Sequence, residues 1–152
     1  MRLRTAALLI ALGALTSSMT SFAQNRATLN ALRDTARLLL IFAGANDARA
    51  QQQLSDLAAH AAEVRDRDMR VIVMNIVPSH TSNDSALPQS TFAPEEEAYA
   101  RQRFHVGLNE FAVVLVGKDG GEKLRSSNPI PWQKLASTID AMPMRKEEAK
   151  QR

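Results

Sequence analysis

The chain has no cysteine. It therefore forms no disulfide, and it has no thiolate for disulfide exchange, peroxide reduction or soft-metal binding. Its core must hold without covalent cross-links, even in an oxidising compartment. Other chemical signatures are missing too. No Gly-x-Ser-x-Gly elbow or triad-like set marks a serine hydrolase. The three histidines, His60, His80 and His105, stand at no metal-ligand spacing from one another. Gly120 and Gly121 lie between two strand-like segments and do not open a helix, which excludes a phosphate-binding loop. There is no internal repeat and no long low-complexity run. Beyond the N-terminal apolar run, no segment is long enough to span a bilayer.

What is present begins with an address. Arg2 and Arg4 precede an apolar run at 6–15, and a polar stretch then ends in Ser21-Phe22-Ala23. That is the layout of a cleavable secretory signal with cleavage after Ala23, and the run is too short and poorly flanked for a spanning helix. An uncleaved anchor is the alternative. The expected division is a signal peptide at 1–23, one domain at 24–148 and a charged tail at 149–152, in a periplasmic or secreted protein. The formal charge of +3 includes Arg2 and Arg4, and the leader holds no acid, so the mature chain carries about +1. The basic excess then sits at the end, in Arg145, Lys146, Lys150 and Arg152, and reads as a solvated, frayed terminus. Such a distribution gives no reason to expect a nucleic-acid partner.

In the mature chain, Leu29 and Leu32 suggest a short amphipathic lead-in. The run 37–43 is apolar after Arg37 and continuous, as a strand buried on both faces requires. The stretch Gly44-Ala45-Asn46-Asp47 breaks it, and Asn46 or Asp47 can cap a helix in which Leu54, Leu57, Ala58, Ala61 and Val64 share one face. That helix ends in the charges at 65–68. A β-branched run at 71–77 makes a second interior strand, and two buried strands joined through a helix imply a right-handed, parallel unit. A long loop spans 78–92. Pro94 then opens a helix with Glu95, Glu96 and Glu97 at its positive end and Arg101 and Arg103 nearer the other. A strand at 111–116, a Gly-rich turn at 117–121 and a strand at 122–125 read as a hairpin. Pro129 and Pro131 introduce a last helix with an apolar stripe of Trp132, Leu135, Ile139 and Met142, which Pro143 ends.

The predicted architecture is α/β, a thioredoxin-like single domain. A mixed four-stranded central sheet is flanked by helices in the order β-α-β-α-β-β-α. The segments LLIFA at 39–43, VVLVGKDGGEKLR at 113–125 and IDAMPMRKEE at 139–148 resemble the domain-of-unknown-function 4174 family, and the likeness runs over 29–148. Its most specific parts are Gly117-Lys118-Asp119-Gly120-Gly121 and Met142-Pro143-Met144-Arg145. The family is regarded as thioredoxin-like or peroxiredoxin-like, has relatives in secreted sushi-repeat proteins, and has no assigned activity. The resemblance implies a fold and no chemistry.

Thioredoxin-like enzymes place a nucleophilic thiol at the N-terminus of the first helix, where the dipole and free N–H groups stabilise the thiolate. Here that place reads Gly44-Ala45-Asn46-Asp47-Ala48-Arg49. The proline that usually precedes the third strand is absent too, since the approach reads Gly107-Leu108-Asn109-Glu110. Thiol catalysis is therefore excluded on chemical grounds.

The remaining candidates are few. His60 with Asp56 and Glu63 can share a helix face suited to a metal, although such a charged flank is ordinary on an amphipathic helix. His80, near Asp84, can serve as a mobile ligand or proton carrier, and His105 caps the cationic end of its helix, although both are more simply surface residues. Met142 and Met144 offer thioether sulfur for copper, but they are accounted for as core and closure, with Met144 packed beneath the helix end. Lys118, Lys123, Arg125 and Arg145 can converge on an anion, or can instead serve order, with Arg145 on terminal carbonyls and Asp119 and Asp140 paired to neighbouring cations. No cofactor and no metal is expected.

The leading reading is a non-catalytic binding module of the cell envelope, with an unidentified envelope protein or small ligand as partner. Its candidate contact surface comprises Asn46, Asp47, His80, Lys118, Asp119, Lys123, Arg125 and Arg145. The alternatives are a non-thiol enzyme using Asn46, Asp47 and His80, and a carrier of a metal or small anion. Intact-mass analysis of the exported chain is expected to give an N-terminus at Gln24. A mature protein that retains Arg2 and Arg4 contradicts the signal reading.

Overall fold

A computed structural model describes residues 27–44, 46–75, 86–90 and 92–151. The expected leader with Ala23, the loop residue His80 and most of the 78–92 loop lie outside these residues. After a single turn of helix α1 (Leu29–Leu32), the chain enters β1 (Arg37–Ala43), the strand expected from its apolar run. All seven residues of β1 are buried. The reason is its position in the sheet, whose order is β2-β1-β3-β4, with β2 at Met69–Asn75, β3 at Ala112–Val116 and β4 at Glu122–Ser126. β1 pairs in parallel with β2, from Arg37↔Met69 to Ala43↔Asn75. It pairs antiparallel with β3, from Leu38↔Val116 to Phe42↔Ala112.

Alternation along β1 feeds two separate cores, because successive side chains point to opposite faces. Leu39, Ile41 and Ala43 join Leu57, Val64, Trp132, Leu135 and Ile139 on one side. Leu38, Leu40 and Phe42 join Leu29, Ala100, Phe104 and Val106 on the other. The first face is covered by α2 (Ala48–Ala59), α3 (Ala61–Asp66) and α5 (Trp132–Asp140). The second is covered by α1 and α4 (Pro94–Arg103), which are tied together where Leu29 N–H donates to Glu96 Oε1 at 2.8 Å.

Several elements depart from the sequence reading. The helix expected to run unbroken from Asp47 to the 65–68 charges divides at His60, whose φ and ψ are −117° and 25°. Its imidazole Nδ1 donates to the Asp56 carbonyl at 2.9 Å, while its own N–H goes to Leu57 O at 3.0 Å, so the regular ladder stops there. Ala58, expected on the apolar face, is exposed, whereas Leu57, Ala61 and Val64 are buried. β2 starts at Met69, ahead of the expected Val71, because Asp68 turns the chain at φ 48° and Met69 already pairs with Arg37. The stretch around Gln89 adds a parallel bridge to Val71 on the outer edge of β2, through Val71 N to Pro88 O at 3.0 Å and Ser90 N to Val71 O at 3.2 Å. This partly covers an otherwise unpaired edge.

The hairpin forms as expected, with Gly120 at φ 77° and a bulge between Leu115 and Val116. Pro143 ends α5 but also opens a further helix, α6 (Pro143–Lys150), which runs into the segment expected to be a frayed tail. Proline suits both roles, since it lacks the N–H that continues a helix and has the φ that starts one. Met142 is buried as expected, but Met144 is 45% exposed and does not pack beneath α5.

One buried polar side chain fixes how α5 approaches. Gln53 is fully buried, and its amide donates to Ile130 O at 3.1 Å and accepts from Ile130 N at 2.7 Å. Pro129 and Pro131 have no N–H, so the Ile130 backbone supplies the only donor of that tripeptide. Gln53→Leu leaves both Ile130 groups buried without partners and is expected to cost about 3 kcal/mol. Denaturant titration checks this, and a loss of less than about 1 kcal/mol contradicts it.

Candidate functional site

The site is built where β1 hands over to α2. Asn46 takes a left-handed conformation, φ 59°, which asparagine tolerates better than most residues. Asp47 is the N-cap: its Oδ1 accepts the Arg49 backbone N–H at 2.9 Å. The same carboxylate takes the Arg49 side chain in a two-point clamp, Nε to Oδ1 at 3.0 Å and Nη2 to Oδ2 at 2.8 Å. Held this way, the guanidinium carbon lies 4.4 Å from the centroid of the Phe111 ring. Phe111 is buried and directly precedes β3. The N-terminal tip of α2 and the approach to β3 thus meet, and an arginine lying on an aromatic ring joins them.

The segment carrying Phe111 is itself anchored. Arg101, expected only as a last-turn charge, is buried against Phe42 and donates to Gly107 O at 2.8 Å and Met74 O at 3.3 Å. Glu110 Oε2 accepts the Gly107 N–H at 2.9 Å. His105, at φ 53°, closes α4 through its backbone, with Val106 N bonded to Arg101 O at 2.9 Å. Leu108 is left at the surface, 71% exposed, three residues before Phe111.

The basic residues Lys118, Lys123, Arg125 and Arg145 take the ordering role that was weighed against an anion site. Lys123 pairs with Asp119 at 2.5 Å. Arg125 pairs with Glu122 at 2.8 Å and also donates to Phe104 O at 2.6 Å. Arg145 donates to Asp66 O at 3.0 Å and lies 3.5 Å from Asp140, which also holds Arg67 at 2.9 Å. Lys118 bridges Asp68 at 3.0 Å and Glu148 at 2.7 Å. Each cation is paired with nearby carboxylates, as the ordering role requires.

The His60, Asp56 and Glu63 trio is likewise committed, to Trp132. Asp56 Oδ2 accepts the Trp132 backbone N–H at 2.8 Å, and Glu63 Oε2 accepts its indole N–H at 3.0 Å. The His60 ring stacks on the indole at 5.5 Å. These side chains seat the start of α5, where the sequence reading weighed a metal. Among the described residues no group of three or more His, Cys, Asp or Glu is placed to hold a metal ion. Met142 is buried and Met144 exposed, so their sulfurs do not share a surface.

Arg49 and Phe111 were not singled out from sequence. The available signal was local: an aspartate at a helix N-cap with an arginine two residues on, where the carboxylate can take both backbone and guanidinium donors.

Charge states follow from these contacts. Hydrogen bonds from Arg49, Lys123, Arg125 and Arg67 hold Asp47, Asp119, Glu122 and Asp140 below ordinary carboxylate values. A carboxylate with a depressed folded-state pKa stabilises the fold above its unfolded value of 3.8, and that contribution is lost as pH falls through the lower folded value. Asp140→Asn is therefore expected to be less stable than wild type at pH 6 by up to about 1 kcal/mol, since solvent screens this half-exposed pair. The gap should close below pH 3.8 in denaturant titrations at several pH values. A gap unchanged between pH 6 and pH 2 contradicts the assignment.

The fold has clear likenesses among solved structures. A reduced 2-Cys peroxiredoxin from Plasmodium vivax superposes with a TM-score of 0.58 at 10% identity, over 78% of this chain and 84% of that one. An exposed lipoprotein thioredoxin from Streptococcus pneumoniae gives 0.51 at 14% identity, over 75% and 90%. A thiol:disulfide interchange protein from Chlorobium tepidum gives 0.52 at 14% identity, over 71% and 80%. No curated protein matches the sequence. At these identities the likeness shows the fold, which is thioredoxin-like. The family model described as Domain of unknown function (DUF4174) matches residues 28–148, and the chain belongs to that family.

Proposed function

We propose that this chain is a non-catalytic binding module of the cell envelope and that its contact surface is the N-terminal tip of α2. The observation that carries the reading is the Asp47–Arg49 clamp laid on Phe111. A general acid or base works best with a pKa near the operating pH. Both titratable groups at the tip are moved the other way: the Arg49 hydrogen bond lowers Asp47, and the Asp47 hydrogen bond raises Arg49. Neither exchanges a proton near neutrality, and with no cysteine in the chain there is no thiol to activate.

The same features suit recognition. An arginine fixed in one orientation loses little side-chain entropy on binding, and the half-exposed guanidinium presents its charge from a defined position at the α2 tip. An envelope location is supported by the layout of residues 1–23. The partner is an envelope protein or small ligand.

Two measurements on the purified mature chain test this. No dithiol or hydroperoxide turnover is expected from wild type. A partner retained from envelope extract should remain bound to the surface control Lys134→Ala and fall at least about tenfold with Arg49→Ala, while melting temperatures stay within a few degrees. Turnover that disappears with Arg49→Ala makes the tip a catalytic site, and retention unaffected by that change removes it as the contact surface.

A further inference from the structure

α6 is held to the domain in an unusual way. Its apolar residues, Pro143, Met144 and Ala149, are all exposed. The two residues that face inward are Arg145, which is buried, and Glu148, one turn further on and half-buried. Arg145 reaches Asp66 at the end of α3. Glu148 reaches further in. Its carboxylate accepts from Arg37 Nη2 at 3.1 Å and 3.2 Å and from Lys118 Nζ at 2.7 Å. An open groove of about 720 Å³, lined by Arg67, Asp140, Lys146 and Lys150 among others, runs beside the helix.

The receiving cations are part of the frame. Arg37 is the first residue of β1 and only 1% exposed, and its Nη1 donates to Arg67 O at 2.8 Å. Its Nε is buried with no partner among the described residues. Lys118 begins the hairpin turn and is shared with Asp68. Burial pushes Glu148 up, but the Lys118 and Arg37 contacts outweigh it, so its carboxyl lies below the ordinary value and the group stays anionic near neutrality. A buried guanidinium with an orphan N–H, beside an ammonium, is a ready-made receptor for a carboxylate.

We propose that α6 is a charge-held strap whose Glu148 fills a carboxylate-binding pocket formed by Arg37 and Lys118, and that undocking of the helix opens this pocket to carboxylate groups from outside the chain. The C-terminal helix then acts as a built-in competitor for an acidic ligand at the end of the sheet opposite the α2 tip. Because its inward-facing residues dock through ion pairs whose carboxylates, Asp66 and Glu148, are partly exposed, its docking weakens as ionic strength rises. Two ordinary helical changes, loss of the carboxylate and exchange for a free one, separate this role from simple packing.

The first test is Glu148→Ala in the full mature chain, melted at pH 7 in sodium acetate and in sodium chloride of equal ionic strength. Acetate should fill the vacated place and raise the variant's midpoint by about 3 °C or more over chloride, with no such difference for wild type. Identical midpoints in the two salts overturn the pocket. The second test needs no variant. In wild type, acetate competes with Glu148, so amides of α6 should exchange at least about threefold faster in acetate than in chloride at the same ionic strength, with β1 unchanged. Should Glu148→Ala fail to fold in either salt, this exchange experiment decides. Equal α6 exchange in the two salts, or α6 and β1 responding together, overturns the proposal.

Discussion

The burial of β1 on both faces and along its whole length is the constraint from which the rest follows. A strand bonded on each side and packed above and below cannot shift by one residue without exchanging its two cores, so its register is fixed. Whatever stands at its ends is fixed with it. At one end the chain passes through Gly44 and Asn46 into the cap of α2 and the Asp47–Arg49 clamp. At the other, Arg37 is carried beneath α6, where it meets Glu148. Two charged constructions therefore sit at opposite poles of one apolar strand.

The poles answer to different physics. At the α2 tip the ion pair is solvent-facing and gains its definition from the Phe111 ring beneath it, so it orients a guanidinium more than it stabilises the fold. Under α6 the arginine is fully enclosed, and leaving it without its carboxylate is costly because an uncompensated charge would remain in the interior. The frame resembles those of peroxiredoxins and thioredoxins, yet the N-terminal tip of α2 holds an aspartate and an arginine whose mutual hydrogen bonds move their pKa values away from neutrality. What is retained is a rigid helix tip facing a strand entrance, a geometry that serves presentation as well as catalysis.

Much of this frame was legible because its signals are local. The run 37–43 announced a doubly buried strand, Gly120 marked the hairpin turn, and the pair Asn46 and Asp47 marked the cap of α2, which falls on Asp47. α6 was not legible, since PMRKEEAK has no apolar stripe and docks through charge. Nor were the buried polar anchors: Gln53 and Ile130 are 77 residues apart, and Arg37 and Glu148 are 111 apart. His60 shows how a distant partner decides between two local readings, a metal-binding face and an ordinary charged flank. Its spacing from Asp56 and Glu63 suggested a ligand set, but an indole from a distant helix occupies the place between them. For the hairpin cations the ordering reading holds over the anion site, because Asp119 and Glu122, only a few residues away, take Lys123 and Arg125.

The central claim is that an ordered arginine occupies the tip where related folds carry out thiol chemistry. Nuclear magnetic resonance of the Arg49 Nε–H group tests it most directly. The account predicts a slowly exchanging Nε–H signal, shifted by the Phe111 ring and responding to acid only as Asp47 titrates below 3.8. A rapidly exchanging signal at the position of a free arginine, unaffected by Phe111→Leu, would contradict it.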